Sequence, residues 1–151
     1  MDIEKKYKKY CEVCQKLIDV DVYGQGKCPY CGWSNCYLNE ENPENVALPN
    51  LISLTKAKQL YKEGKPFEPN LDEFIEALHC YSEMQFEYNR VYYAVELIGF
   101  ETEELKIQLY NSKTEETNIF IDDEDFKNNA KVDGKYLKEI WNDTTDRYWL
   151  Q

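Results

Sequence analysis

Two pairs of cysteines constrain the fold of this chain more than any other feature, namely Cys11 with Cys14 and Cys28 with Cys31. Each CxxC turn can present two sulfur atoms to one ion, and two facing turns complete a tetrahedron of thiolates. In the second turn, CPYCG, Pro29 stiffens the backbone and Gly32 can adopt the positive φ that such a turn needs. The spacing therefore predicts one metal ion held by four cysteines, and Zn²⁺ is the metal expected.

The stretch between the pairs, LIDVDVYGQGK, alternates in side-chain character and predicts a strand, which Gly24 and Gly26 turn back towards the second pair. Across residues 10–33 the pattern resembles the zinc-ribbon family, and it departs from that family where Gln15 replaces a frequent glycine. The resemblance implies a small module around one structural zinc ion. We expect the nearby aromatic side chains to pack around the metal as its core: Tyr10, Tyr23, Tyr30 and Trp33.

Other chemistries use cysteines in related arrangements. Iron can occupy the same four thiolates, as in rubredoxin-like sites. A thioredoxin-like redox pair needs one CxxC at the start of a helix, and disulfides fit a reducing compartment poorly. A shell of four thiolates leaves no open position for water, so we predict a structural site, with Cys36 and Cys80 outside it.

The N-terminus and the hydropathy pattern predict a cytoplasmic protein. The first ten residues, MDIEKKYKKY, are charged and lack the apolar stretch of a signal peptide. No apolar run approaches the ~20 residues that a membrane span needs. We therefore expect reduced thiols.

Behind the cysteines, the apolar periodicity changes from helical to extended. Residues 39–50 are polar, contain two prolines and predict a linker. Helices are predicted after Ser53 and Asn70, each of which can cap a helical spacing of apolar side chains. From Glu83 the period becomes two, which predicts a hairpin and two further strands. Two short helices close the chain, and the last of them carries Tyr136, Leu137, Ile140 and Trp141.

These elements predict an α+β fold, in which an N-terminal zinc ribbon precedes a compact domain with an antiparallel sheet of about four strands and three to four helices. The predicted division is a zinc ribbon at 1–38, a linker at 39–50 and an acidic α+β domain at 51–151. The antiparallel order argues against a parallel nucleotide-binding sheet.

The charge of the chain is unevenly placed. The formal net charge is −11, and residues 1–40 contain six Lys and six acidic residues, so all of the net charge lies beyond residue 40. A body this acidic repels phosphate backbones, which disfavours nucleic acid as a partner. Such a surface either keeps the protein soluble or docks onto a basic partner.

The sequence does not carry the usual motifs of catalysis. The one histidine, His79, has no visible nucleophile or second ligand, and we interpret His79 and Cys80 as packing or capping residues. DDED at 122–125 lacks the spacing of a calcium loop and is interpreted as acidic capping of a helix. The Gly-rich phosphate loop and the common hydrolase motifs are also missing, so we predict that the protein is not an enzyme.

The segments ENPENVALPN and YKEGKPF, behind a cysteine knuckle, resemble small bacterial proteins that include toxin-immunity proteins, over residues 28–85. The resemblance implies a stoichiometric inhibitor whose carboxylates cover a basic toxin surface, such as the substrate groove of a nuclease. Acidic residues are concentrated in 101–125, and tyrosines of the predicted hairpin can supply anchors. The predicted partner-binding residues are Glu101, Glu103, Glu104, Glu115, Glu116, Asp122, Asp123, Tyr88, Tyr92 and Tyr110.

Two other functions remain as alternatives. A nucleic-acid-binding or regulatory ribbon would use KKYKKY, whose lysines can contact phosphate and whose tyrosines can stack on bases. A rubredoxin-like electron carrier would hold iron in the knuckles. A basic protein that co-purifies, salt-sensitive binding to an oligonucleotide and a red colour distinguish the three functions.

Overall fold

The computed structural model describes residues 6–47, 49–101 and 104–149. The chain forms two compact units, Met1–Glu68 and Pro69–Gln151. This division differs from the predicted one, which ended the zinc ribbon at residue 38 and began the second domain at residue 51. The difference arises because the helix after the predicted linker buries its apolar face in the same core as the cysteines.

Two short antiparallel hairpins carry the cysteines of the N-terminal unit. Their strands are β1 (Tyr7–Tyr10) with β2 (Leu17–Val20), and β3 (Gly26–Lys27) with β4 (Ser34–Asn35). The predicted alternation is confirmed in β2, where Ile18 and Val20 are buried and Asp19 between them faces solvent. Gly26 has no room for a side chain, because a Cβ there would lie 2.7 Å from the carbonyl oxygen of Asp19.

Two helices complete the N-terminal unit, α1 (Tyr37–Glu41) and α2 (Leu54–Lys62). Helix α1 extends into the stretch predicted to be a linker, so that stretch is partly helical. Helix α2 begins where predicted, because the side chain of Ser53 accepts a hydrogen bond from the backbone N–H of Lys56 at 3.1 Å. Leu54, Ala57 and Leu60 form its buried apolar face, whereas Tyr61 is 44% exposed.

The C-terminal unit begins with helix α3 (Leu71–Tyr81), which starts with the predicted capping box. The side chain of Asn70 accepts from the N–H of Glu73 at 2.8 Å, and the Glu73 carboxylate accepts from the N–H of Asn70 at 3.0 Å. Ser82 follows with a φ of 68°, which ends the helix and directs the chain into a sheet.

The next four strands pair antiparallel in sequence order and correspond to the hairpin and the two further strands that the change of period predicted. They are β5 (Glu83–Tyr88), β6 (Val91–Ile98), β7 (Lys106–Asn111) and β8 (Thr117–Phe120). Asn89 and Arg90 connect β5 to β6 and both adopt positive φ. Positive φ at both positions is the conformation that lets a two-residue turn follow the twist of its strands.

The chain then closes with short elements: α4 (Asp123–Asn129), β9 (Lys131–Val132), β10 (Lys135–Tyr136), α5 (Leu137–Ile140) and β11 (Thr145–Trp149). The predicted last helix is wrong at both ends, because Tyr136 belongs to β10 and Trp141 begins a 3₁₀ turn. After this turn, β11 pairs with β5 and gives the sheet the order β11-β5-β6-β7-β8, with five strands rather than about four. Its sequence, TDRYW, lacks the apolar alternation from which a strand is predicted.

One face of the sheet is covered by helices and forms the core of the C-terminal unit. The ring of Phe86 lies against Phe74 of α3 and Trp141 of the 3₁₀ turn, with ring centroids 6.1 and 5.8 Å away. Phe126 of α4 packs against Phe120 of β8. The opposite face, which we call the open face, consists of exposed and half-exposed side chains that alternate with the buried ones.

Candidate metal centre

The two CxxC turns have the same pattern of backbone hydrogen bonds. In the first turn, the N–H of Cys11 donates to the carbonyl of Lys16 at 2.8 Å, and the N–H of Gln15 donates to the carbonyl of Cys11 at 3.0 Å. The second turn repeats both bonds at 2.8 and 2.9 Å, with Gly32 in the place of Gln15. Gln15 has a φ of 63° and Gly32 a φ of 85°, so the substitution of glutamine for glycine leaves the turn unchanged.

These turns bring the sulfur atoms of four residues into one cluster, namely Cys11, Cys14, Cys28 and Cys31. All four Sγ atoms lie within 4.8 Å of one another, and the distances from Cys11 to Cys31 and from Cys14 to Cys28 are both 3.6 Å. A tetrahedron with Zn–S distances of about 2.3 Å has S–S edges of about 3.8 Å, whereas a disulfide bond measures about 2.05 Å. The distances therefore fit a metal shell and not a pair of disulfides.

The remaining two cysteines lie outside the cluster, as predicted. Cys36 is 1% exposed and precedes helix α1, and Cys80 is exposed near the end of α3. Neither Cys36 nor Cys80 forms a disulfide bond. The two CxxC pairs alone therefore supply the four sulfur atoms that a tetrahedral metal shell would need.

The surroundings of the sulfur atoms change their affinity for protons. Burial raises the pKa of Cys14 and of Cys31. Burial also disfavours the thiolate of Cys28, but hydrogen bonds lower the pKa of Cys28 to about 7. They come from the backbone N–H groups of Cys31 and Tyr30, each 3.4 Å from its Sγ, and from the thiols of Cys14 and Cys31. Cys28 therefore supplies a thiolate near neutral pH, and a bound cation stabilises the charged form of all four ligands.

Asn35 of β4 supports the cluster from behind and was not predicted as a functional residue. This buried side chain donates from Nδ2 to Cys11 Sγ at 3.5 Å and to the carbonyl oxygens of Gly26 and Trp33 at 3.3 Å. Its Oδ1 accepts from the backbone N–H of Glu12 at 2.8 Å. Because these groups belong to both CxxC turns, one amide fixes the turns relative to each other. No motif in the sequence distinguishes this asparagine.

A buried carboxylate forms a second link between the turns. Glu12 lies between the cysteines of CEVC and is 6% exposed. Its carboxylate accepts from the indole N–H of Trp33 at 3.0 Å and from Lys9 Nζ at 3.2 Å. Lys9 also pairs with Glu40 at 2.9 Å. These partners compensate the buried negative charge of Glu12. The presence of an acidic residue between the two cysteines of CEVC is the feature of the sequence that could have predicted this network.

The cysteine cluster belongs to a hydrophobic core that extends beyond the predicted zinc ribbon. Besides Trp33 and residues of β2, this core contains four residues from α2 and the segment before it: Ile52, Leu54, Ala57 and Leu60. The predicted core of knuckle aromatics is wrong except for Trp33, since the other three are 66%, 61% and 61% exposed: Tyr10, Tyr23 and Tyr30. Helix α2 supplies the apolar cover that was expected from the tyrosines.

A shell of four protein sulfurs supports binding and stability rather than catalysis. Two of the ligands are buried and two are half-buried, and four-coordinate thiolate sites keep no position for water or substrate. The same shell accepts iron, as in rubredoxin-like sites. The four cysteines could therefore hold one metal ion, and their sulfur atoms suit zinc and iron alike.

The sheet separates the predicted partner-binding residues into two groups. The register pairs Tyr93 with Asn111 at one end of β6 and Ile98 with Lys106 at the other, so the two ends lie about 17 Å apart at ~3.3 Å per residue. The end near Ile98 carries Glu101, Glu104, Asp122 and Asp123. The end near Asn111 carries Glu115, Glu116, Tyr92 and Tyr110. Glu103 lies outside the described residues.

The three predicted aromatic anchors lie on different faces. Tyr88 is 7% exposed on the helix-covered side, where its hydroxyl accepts from Lys135 Nζ at 3.4 Å and where it lines a pocket of about 440 Å³ with Tyr93. Tyr92 is 45% exposed and Tyr110 is half-exposed, and both lie on the open face. Tyr88 is therefore not part of the open face.

The other candidates for chemistry are local ion pairs and caps. His79 Nε2 lies 2.8 and 2.9 Å from the two carboxylate oxygens of Asp123, which links α3 to α4. Asp122 accepts from the N–H of Asp125 at 2.8 Å, which confirms that DDED caps a helix. Across the described residues, the cysteine cluster is the one group of three or more His, Cys, Asp or Glu side chains placed to hold a metal.

Comparison of the chain with protein-family models, with curated proteins and with solved structures found no match. No family match therefore supports the resemblance to toxin-immunity proteins. The cluster of four cysteines is compatible with the zinc-ribbon resemblance. No helix in the described part of the chain has the length and apolar character needed to cross a membrane.

Proposed function

We propose that this protein is a non-enzymatic binding protein that occludes a basic surface on another protein. In this proposal, one Zn²⁺ held by the four clustered cysteines stabilises the N-terminal unit, and the C-terminal unit makes the contact. An immunity protein that neutralises a basic, nuclease-like toxin is the specific form of this function that we favour.

The distribution of charge between the two units carries the proposal. Residues 1–68 contain ten basic and ten acidic residues, whereas residues 69–151 contain eight basic and nineteen acidic residues. The whole net charge of −11 thus belongs to one compact unit. An acidic surface of this kind attracts a basic partner, accelerates encounter and repels nucleic acid.

Carboxylates also lie close together on the open face, against their own repulsion. Glu83 of β5 lies directly opposite Glu96 of β6, and like charges in that position destabilise a sheet. Hydrogen bonding with the carboxyl group of Asp146 raises the pKa of Glu87 on the same strand. Lys or Arg side chains of a partner would relieve the repulsion between Glu83 and Glu96 and would favour the ionised form of Glu87, which supports the open face as the contact surface.

The charge of the N-terminal unit gives less support to a nucleic-acid-binding ribbon. Among the lysines of KKYKKY, Lys8 pairs with Asp19 at 2.5 Å, and Lys9 pairs with Glu12 and Glu40 at 3.2 and 2.9 Å. These two cations are neutralised within the unit and add little attraction for phosphate.

Capture from native lysate at two salt concentrations tests the proposal. The immobilised zinc-bound protein should retain one basic protein in stoichiometric amount, and more of it at ~0.01 M than at ~0.1 M salt, because the Debye length falls from ~30 to ~10 Å. Salt-sensitive retention of a single-stranded oligonucleotide, without a basic protein, would favour the ribbon as a nucleic-acid module. A red protein with stoichiometric iron would favour the electron carrier.

A further inference from the structure

Four apolar side chains are exposed at one end of the five-stranded sheet. Phe100 is 60% exposed, Leu105 39%, Ile119 56% and Ile121 67%. We call these four residues the apolar patch. Phe100 follows β6 and Leu105 precedes β7. Ile119 lies in β8 and Ile121 follows it.

The register of the sheet brings the members of the patch together. Ile119 lies on the open face of β8, opposite Gln108 of β7. Ile121 follows Phe120, the last residue of β8, and its side chain is 67% exposed at that end of the strand. Phe100 and Leu105 belong to the connection between β6 and β7, which lies at this same end of the sheet. The four side chains are therefore exposed at the same end of the sheet, in the edge strand β8 and in the segments next to the strands.

Such a group is not expected from folding alone. Single exposed apolar side chains are common on protein surfaces, but a contiguous group usually marks a binding surface. In the described part of the C-terminal unit, the other large exposed hydrophobic side chains are those of Tyr92 and Tyr136, whose hydroxyl groups can bind water. The patch residues have no polar group that would favour exposure.

Carboxylates form a rim around the patch. Glu101 and Glu104 lie in the same connection as Phe100, and Asp122 follows Ile121 directly. All three acidic residues are exposed. An apolar centre with an acidic rim is complementary to an apolar side chain flanked by Lys or Arg.

The same charges argue against a second copy of this chain as the occupant. Strand β8 is an edge of the sheet, and Glu115 and Glu116 precede it while Asp122 and Asp123 follow it. Antiparallel pairing of two β8 strands would set the acids before one strand against the acids after the other. Like charges in these positions oppose edge-to-edge association.

We propose that the apolar patch is the docking site for a basic protein segment, which places an apolar side chain among Phe100, Ile119 and Ile121 and sets flanking Lys or Arg side chains against the rim. This inference rests on the proposed function and names the surface that this function uses. The patch supplies buried contact, and the rim supplies attraction and orientation.

Replacement of Ile119 and Ile121 by threonine tests the site, because threonine keeps the β-branch that suits a strand and removes apolar surface. The matched control is Leu17→Thr, since Leu17 is an aliphatic residue of β2 that is 50% exposed. Two peptides serve as probes, one alternating Lys with Leu, Val and Ile, and one alternating Lys with Ser. The parent and the control should bind the apolar peptide about tenfold more tightly than the serine peptide, and the double variant should lose this preference.

Equal binding of both peptides by the parent, or a preference that survives in the double variant, would overturn the docking site. The basic protein captured from lysate separates this failure from that of the proposed function. If the double variant binds that protein as tightly as the parent does, the patch is wrong and the proposed function stands. Sedimentation that shows a dimer of the parent and a monomer of the double variant would identify the occupant as a second copy and would also overturn the proposal.

Discussion

Phe67 packs edge-on against Trp33, with ring centroids 5.8 Å apart and ring planes at 86°. Trp33 follows the second CxxC pair directly, and Phe67 lies just before the end of the N-terminal unit. Helix α2 lies between them in the sequence and shares their core. Metal site and helix are therefore parts of one folding unit, and the metal should control both.

Removal of the metal should unfold the N-terminal unit as a whole. Metal binding supplies on the order of 10 kcal/mol or more to a small four-thiolate module, and the cysteine side chains are part of the core that α2 covers. Hydrogen exchange after chelation should show loss of protection across β1–β4 and α2, with protection retained in α3 and β5–β8. Protection that persists in α2 would show that the helix folds without the metal.

Single cysteine variants should divide into two classes. Cys31→Ser removes a ligand and should bring zinc content well below one ion per chain, measured by elemental analysis after gel filtration. Cys36→Ser is the matched buried control and Cys80→Ser the exposed one, since both residues lie outside the cluster. Both controls should retain zinc. Full zinc content in Cys31→Ser would contradict the assigned shell.

Loss of the amide that supports the cluster should weaken metal binding. Asn35→Ala removes the donor to Cys11 Sγ and leaves the backbone N–H of Glu12 without its partner. We expect zinc affinity, measured against a competing chelator, to fall about 10–100-fold, and the buried N–H to cost about 1–3 kcal/mol of stability. Asn39→Ala is the control, because Asn39 is equally buried and bonds to Asn50 rather than to a sulfur atom. Equal zinc affinity in both variants would contradict the prediction that Asn35 supports metal binding.

Local signals in the sequence predicted much of the structure. The CxxC spacing predicted the cluster, Ser53 and Asn70 predicted two helix starts, and the period of two from Glu83 predicted a hairpin. Each of these features depends on a few neighbouring residues whose backbone preferences or hydrogen bonds are nearly independent of the rest of the fold.

Features that depend on tertiary contacts were missed. Strand β11 exists because β5 offers it a partner, and its own residues give no periodicity. The tyrosines beside the knuckles are exposed because α2 already covers the cluster, a contact between residues far apart in the sequence. The open face and its apolar patch follow from strand order, which the periodicity of single strands does not contain.

The cap of helix α4 should contribute stability that depends on pH. Hydrogen bonds from the backbone N–H of Ile121 and from the side chain of Asn129 lower the pKa of Asp125 below its ordinary value of 3.8. Because the folded value is the lower one, the stabilisation is full above the unfolded value and is lost as pH falls through the folded value.

Asp125→Ala should therefore lower the urea midpoint of the C-terminal unit at neutral pH, and the difference from the parent should shrink as the pH falls below 3.8. Glu139→Ala, an exposed acid on α5, is the control and should change the midpoint little. An Asp125→Ala effect that persists unchanged at low pH would assign it to helix packing rather than to the carboxylate.

The central claim, that carboxylates at the patch end of the open face meet a basic protein, is tested most directly by association kinetics with the protein captured from lysate. The variant Glu101→Gln with Glu104→Gln neutralises the rim, and Glu115→Gln with Glu116→Gln removes the same charge about 17 Å away, at ~3.3 Å per residue along β6. We predict that the rim variant associates several-fold more slowly than the parent at low salt and has a shallower salt dependence, while the distant variant changes much less. Parent-like rates and salt slopes in both variants would contradict the claim and leave these acids as ordinary solvated surface.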